Sequence, residues 1–322
     1  MTDPNETLLF ETSPYGNLDA IVEHDQRVVY FYLNGQSESG AEDRFGVRAC
    51  WVRNLVRGPL AINRDDMTQG KPPLLPRTDC LPSEPGVLPN PDQLQIVWFE
   101  EGNGAALIEH ATDGASSRTL AVIPPWSGVD GFHGYAADCA HETSLCWPMP
   151  DNERLDLRIQ RSLEFWNSFS QQGTPFQDLQ PQQLEIYQQK FAPGAEPRYF
   201  AIDGGKFPQR GLVRFDLESE IVVLTVGMSM CPQPATELFV DSPSDFRRVE
   251  LGARLPKDLS EEAIDDAMKS ISSYAGYPWK SWTWFGPGHT LQWRGANATL
   301  VRDEELQLPS FRDDPVHLLW IG

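Results

Sequence analysis

The stretch IVVLTVGMSM, residues 221–230, decides how the second half of the chain folds. Ile221 to Val226 is a consecutive run of strand-forming residues, the pattern of a central strand covered on both faces, and Gly227 ends it. Upstream, Val213, Phe215 and Leu217 alternate with polar neighbours and Glu218-Ser219-Glu220 turns the chain, which predicts a pair of neighbouring strands. Downstream, Val249, Leu251, Ala253 and Leu255 alternate before Pro256. A helix follows, with Asp258 as its cap and Glu261 three residues on. Ile264, Ala267, Met268, Ile271, Tyr274 and Ala275 fall on one face, and Gly276 and Pro278 end it. Ahead of these strands, Leu155, Ile159, Leu163 and Trp166, with Phe169, recur at helical spacing. Pro181, at a first-turn position, opens a second short helix carrying Leu184, Tyr187 and Phe191.

The first half reads mainly as strands. Val28 to Leu33 is apolar on both faces, whereas Phe45, Val47, Ala49 and Trp51 alternate with Gly46, Arg48, Cys50 and Val52 as a half-buried strand does. Seven prolines between Lys71 and Asp92 (72, 73, 76, 82, 85, 89 and 91) exclude both ladder and helix, so this is a long ordered loop or linker. Leu94 to Phe99, the turn Glu101-Gly102-Asn103-Gly104 and Ala105 to Glu109 predict a hairpin, with Gly and Asn supplying positive φ. The turn cluster at Pro148 to Glu153 marks a junction. The expected fold is therefore α+β in two domains, 1–150 and 151–322, each a mixed or mainly antiparallel sheet flanked by a few helices.

The chain has 322 residues, 40% hydrophobic, with 46 acidic against 26 basic side chains and a net charge of −20. Residues 1–150 carry 21 acidic and 9 basic groups, so the acidity is not confined to a tail. A field of this sign repels phosphate, which disfavours nucleic acid and anionic membranes as partners and steers a basic protein inward. No run of about 18 apolar residues occurs, and the N-terminus has neither the basic nor the apolar region of a secretion signal. Five cysteines, an odd number in a long chain, fit a reduced, cytoplasmic protein.

Chemistry has few footholds. His133, Cys139, His141 and Cys146 are metal-ligand types within 14 positions, but their gaps of five, one and four residues differ from the paired spacing of structural zinc sites. The reading is no metal and no cofactor. His289, in Gly286-Pro287-Gly288-His289, has no nucleophile or carboxylate at a recognisable distance and reads as a turn residue bonded to a carbonyl. Ser229 lacks the second flanking glycine of a nucleophile elbow. The acid pairs Asp65-Asp66, Glu100-Glu101, Asp265-Asp266 and Asp313-Asp314 read as solvated faces. Trp279, Trp282, Trp284 and Phe285 lie in a segment too rich in Gly and Pro for one element to bury them all, which predicts that some form an apolar patch for binding.

In order, IVVLTVGMSM (221–230), RVELGARLP (248–256), a helix ending in SYAGYPW (273–279) and WFGPGHTLQW (284–293) together resemble the suppressor of fused family over about residues 185–322. The chain departs from the family at Met230-Cys231-Pro232, where animal members continue with an acidic residue. Tyr274-Ala275-Gly276-Tyr277 stands where the family has A-R-Y. The resemblance implies a non-enzymatic protein-binding module. In animals the family member captures Gli-type transcription factors by adding a partner strand in a groove between two domains. Bacterial relatives look like immunity proteins against toxins. The resemblance and the aromatic segment together make Gly227, Ser229, Trp279, Trp282, Trp284, Phe285 and His289 the candidate binding residues. The alternative is a metal-dependent enzyme built on His133, Cys139, His141 and Cys146 or on His289.

Overall fold

A computed structural model describes residues 5–35, 46–81, 85–112, 114, 116–151, 153–170, 174–194, 196–202, 204 and 206–322. The chain divides into two compact units, Met1–Glu164 and Phe165–Gly322.

In the first unit, β1 (Glu6–Thr12), β2 (Leu18–His24), β3 (Val28–Gly35) and β4 (Val47–Asn54) form an antiparallel sheet in sequence order. After a short helix, α1 (Arg64–Thr68), come β5 (Leu94–Trp98), β6 (Ala105–His110), β7 (Ser117–Ile123), β8 (Tyr135–Ala136) and β9 (Trp147–Pro148). These form a second sheet that is antiparallel except for the β8–β9 pair. Helix α2 (Glu153–Ser170) lays Leu155 and Ile159 against Val97, Phe99, Ala106, Ile108 and Val122.

The β3 and β5–β6 readings hold, but two details are corrected. In β4 the expected alternation is broken: Val47 is exposed and Ala49 half-buried while Arg48 and Cys50 are buried, and only Trp51 of the expected inner face lies inside, with Val52 beside it. Arg48 is held inside by backbone carbonyls, donating from Nη1 to Asn103 O at 2.9 Å and to Pro124 O at 3.2 Å. Phe45 lies outside the described residues, as does Pro82 of the proline-rich stretch. In the β5–β6 turn, Gly102 alone takes positive φ (66°), and a Cβ there would meet the Tyr15 ring at 2.2 Å. Asn103 does not take positive φ.

The second unit holds α3 (Pro175–Phe191), β10 (Arg198–Ala201), β11 (Gly211–Asp216), β12 (Glu220–Val226), a short α4 (Thr236–Phe239), β13 (Val249–Pro256), α5 (Glu261–Ser281), β14 (Thr290–Trp293), β15 (Ala296–Arg302) and β16 (His317–Ile321). The sheet order is β10-β11-β12-β13-β16-β15-β14, with only β13–β16 parallel. Every residue of β12 from Ile221 to Val226 is buried. On one face Val222, Leu224 and Val226 pack with Tyr187 of α3, and α5 packs across β11, β12 and β13.

Both helix readings in this unit are corrected. Pro175, not Pro181, takes the first-turn position of α3, and Pro181 lies inside a longer helix. Ser260, not Asp258, caps α5, its Oγ accepting from Ala263 N at 3.3 Å. The helix runs through Gly276 and Pro278 to Trp282, with Arg210 lying against that turn. A Cβ on Gly276 would meet Arg210 Nη1 at 3.1 Å, and the guanidinium donates to the Ala275 carbonyl beside the donor that Pro278 lacks.

One acid pair read as solvated, and one member of another, are also corrected. Glu100 and Glu101 are buried, with Arg161 3.8 Å and Arg158 3.1 Å away. Asp314 is buried between Arg247 (2.7 Å) and Arg248 (2.8 Å).

One polar clamp fixes where β12 ends. Gly227 has φ +85°, and a Cβ there would meet the Phe176 ring at 2.6 Å, so only glycine turns the chain into the single 3-10 turn Met228–Met230. Ser229 and Glu250 are fully buried. Glu250 Oε1 accepts from Gly227 N (3.1 Å), Ser229 N (3.0 Å), Ser229 Oγ (2.7 Å) and Gln183 Nε2 (3.0 Å), while Oε2 accepts from Thr225 Oγ1 (2.6 Å). Two residues earlier, just before β13 begins, Arg248 Nη1 donates to the carbonyls of Ser229 (3.1 Å) and Met230 (2.6 Å), and its Nε donates to Asp314.

Glu250→Ala strands these donors without water. It should cost the second unit about 3 kcal/mol or more, and Glu250→Gln, which keeps an acceptor in place, clearly less; urea unfolding of that unit's transition measures both. Burial alone would raise the Asp314 pKa, but the hydrogen bonds and charges of Arg247 and Arg248 prevail and hold it below the ordinary value. Its contribution is therefore fully present above the unfolded pKa, about 3.9, and is lost as pH falls through the depressed folded value. Urea midpoints measured from about pH 6 to pH 2 should fall in acid, and Asp314→Asn should lower the near-neutral midpoint and flatten that fall.

Candidate functional site

The sequence that leaves the clamp also positions the aromatic segment. Gln233 is buried after the turn, and its Oε1 accepts from Phe285 N at 2.7 Å while its Nε2 donates to Phe285 O at 3.0 Å and Phe246 O at 2.9 Å. A single side-chain amide thus pairs with the backbone as a strand neighbour would. Trp279 Nε1 donates to Pro232 O at 3.1 Å, and its ring is 3% exposed. Gly227, Ser229, Trp279 and Phe285, far apart in sequence, therefore meet along residues 227–233.

Burial separates these residues by what they can do. Ser229 Oγ donates to a carboxylate that already accepts four other hydrogen bonds and is sealed from solvent, so its role in the fold is that of a structural donor. Phe285 is 6% exposed and lies at 6.1 Å from the Tyr277 ring, stacked, and at 6.3 Å from Tyr274, edge-on. Trp282 takes φ +48° as the C-cap of α5, its N–H bonded to Pro278 O. Trp284 and His289 are half-buried, with ring centroids 4.3 Å apart, and His289 Nδ1 lies 3.1 Å from Trp284 O. What this end of the unit presents to solvent is Tyr277 (40% exposed), Pro287 and Gly288, with the edges of Trp284 and His289. Sequence reading missed Gln183, Gln233, Tyr277, Arg248 and Glu250. The signal for the last two was two charged side chains at alternate positions in the apolar run RVELG.

The seven-stranded sheet ends in β10 and β14. Every residue of β10 is exposed, including Tyr199 and Phe200, and an ion-pair group of Arg198, Arg214, Asp216, Lys257 and Glu261 lies beside it. At β14, the Arg294-Gly295 turn has positive φ at both positions, as a tight hairpin requires, and Tyr274 of α5 donates to Gln292 O.

The ligand types in the first unit do not converge on an ion. His141 is exposed and His133 half-buried, while Cys139 and Cys146 are buried free thiols, the Cys139 thiol donating to His141 O at 3.0 Å. Among the described residues no group of three or more His, Cys, Asp or Glu is disposed to hold a metal, and no helix is long and apolar enough to cross a membrane.

The chain was compared with known proteins. A search of curated proteins and a search of solved structures returned no match. The family model described as Suppressor of fused protein (SUFU) matches residues 213–321, from β11 to the end of β16, and so takes in the clamp, α5 and the aromatic segment. That match identifies the C-terminal part of the chain, residues 213–321, as a Sufu-like domain, a kind of protein-binding module.

Proposed function

We propose that the chain is a non-enzymatic binding protein of the cytoplasm whose suppressor-of-fused-like domain, residues 151–322, captures a basic protein and acts as an immunity protein of bacterial type. The family match over residues 213–321 carries this reading. The rim of Tyr277, Trp284 and His289 offers aromatic anchors beside turn backbone, the combination favoured at binding hot spots. The exposed strand β10 offers a free edge for an added strand. The net charge of −20 favours a basic toxin, such as a nuclease domain, over nucleic acid itself.

A native pull-down with the full chain should recover a basic protein whose toxicity the chain suppresses, and a toxin gene should lie immediately upstream of the chain's own. Affinity should weaken as ionic strength rises from about 0.01 M to 0.15 M, as the screening length shortens from about 30 Å to about 8 Å. Tyr277→Ala should weaken binding about tenfold or more with little change in Tm. A salt-independent complex, or one indifferent to Tyr277→Ala, argues against a basic partner or against this rim respectively.

A further inference from the structure

Four of the five cysteines, all free thiols, lie in the first unit and cluster around one short bridge of backbone. Cys80, in the proline-rich stretch, and Cys139, after β8, are partners in an isolated antiparallel bridge. Leu81 N donates to Asp138 O at 2.7 Å and Ala140 N to Asp79 O at 2.7 Å. These bonds flank the two cysteines, which are therefore a directly opposed, non-hydrogen-bonded pair. In such a pair the side chains leave one face of the ladder with Cα atoms about 4.5 Å apart, within the span of about 4.4–6.8 Å that a disulfide bridges. Nothing in the hairpin, helix or clamp chemistry of the fold uses this register.

Access is graded across the pair. Cys80 is half-buried and lines a small cavity with Arg53, Arg57, Arg77 and Asp138, whereas Cys139 is buried behind it. The Cys80 sulfur accepts from Asn54 Nδ2 at 3.6 Å and lies 3.5 Å from Pro76 O. Burial pushes the Cys80 thiol up to about 11, and the hydrogen bond from the Cys146 thiol holds the Cys139 thiol below its ordinary value. The outer thiol is the one an oxidant reaches, and the inner one is the readier thiolate.

We propose that Cys80 and Cys139 are a reversible disulfide site, oxidised by a small anionic disulfide of the glutathione type that enters beside Arg57 and Arg77. Cys80, as thiolate, attacks one sulfur of the oxidant. The oxidant's S–S bond breaks, and one small thiol leaves with a proton. Cys139, as thiolate, then attacks the Cys80 sulfur, closing the protein disulfide and releasing the second small thiol with the second proton. Two protein thiols are oxidised and one disulfide is reduced to two thiols. The product staples the proline-rich stretch to the segment after β8 and closes a loop of about 60 residues in the unfolded chain.

The test equilibrates the full chain with mixtures of reduced and oxidised glutathione, blocks free thiols and maps the peptides without reduction. The expected result is a Cys80–Cys139 peptide pair two hydrogens lighter than its parts and reversed by dithiothreitol, with the first unit's Tm raised by about 5 °C or more. Cys139→Ser should leave Cys80 as a glutathione adduct that goes no further. Because that substitution alters a buried thiol, Cys80→Ser, at a half-exposed position, is the companion variant, and it should show neither the disulfide nor the rise in Tm. Cys139 joined to Cys146 instead, Cys80 left unmodified or carrying only glutathione in the unsubstituted chain, or the same Tm rise in Cys80→Ser, would overturn the proposal.

Discussion

The C-terminal unit depends on how one strand disposes of the polar backbone at the end of another. Where β12 stops inside the protein, the N–H groups of Gly227 and Ser229 and the carbonyls of Ser229 and Met230 have no ladder partner and no water. β13 and the residue that leads into it supply both signs from positions two apart, a carboxylate at Glu250 for the donors and a guanidinium at Arg248 for the acceptors. An isolated buried charge of either sign is costly, and here the array of hydrogen bonds offsets it. Each member also reaches outward. Glu250 holds Gln183 and with it α3; Arg248 holds Asp314, and its own carbonyl accepts from His317 N at 3.1 Å where the parallel β16 joins the sheet. The one parallel pairing of this sheet is therefore tied to the same two residues that end β12.

What could be read ahead of the structure follows from which signals are local. The run 221–226, its terminating glycine, the 94–109 hairpin and the amphipathic faces of α2 and α5 are set by periodicity, and packing had only to agree with it. The misread features are those in which a partner distant in sequence overrides the local preference. Arg48 is inside because carbonyls from Asn103 and Pro124 meet it. Gly276 lies inside a helix it would ordinarily end, with Arg210 against the space a side chain there would fill. Glu100 and Glu101 are inside because α2 brings Arg158 and Arg161 to them. At the candidate site the same division holds: the sequence named the turn and the aromatics but not Gln233, an ordinary polar residue until Phe285 is seen to bond both of its amide atoms.

The burial of these acids also changes the meaning of a net charge of −20. Glu100, Glu101, Asp138 and Asp314 face arginines, and Glu250 faces N–H and O–H donors, so none of them contributes an open negative surface. Of the arginines that face them, Arg53, Arg158, Arg247 and Arg248 are largely withdrawn from the surface as well, whereas Arg118 and Arg161 stay partly exposed. The long-range field is thus set by the remaining exposed carboxylates, including those in the first turn of α5. Such a field acts on encounter rates and on the sign of the partner, and it leaves the geometry of the complex to the contact residues.

The motifs that carry the family match are mostly not surface. Gly227 and Ser229 are enclosed, Trp279 and Phe285 are nearly so, and their bonds are to the chain itself. A match built on them argues that the polypeptide closes its sheet end in the same way, which is a statement about fold. The residues free to distinguish one partner from another are those that the clamp does not enclose: Tyr277, Pro287 and Gly288, all exposed. Two proteins sharing the clamp can therefore present different rims on an identical frame.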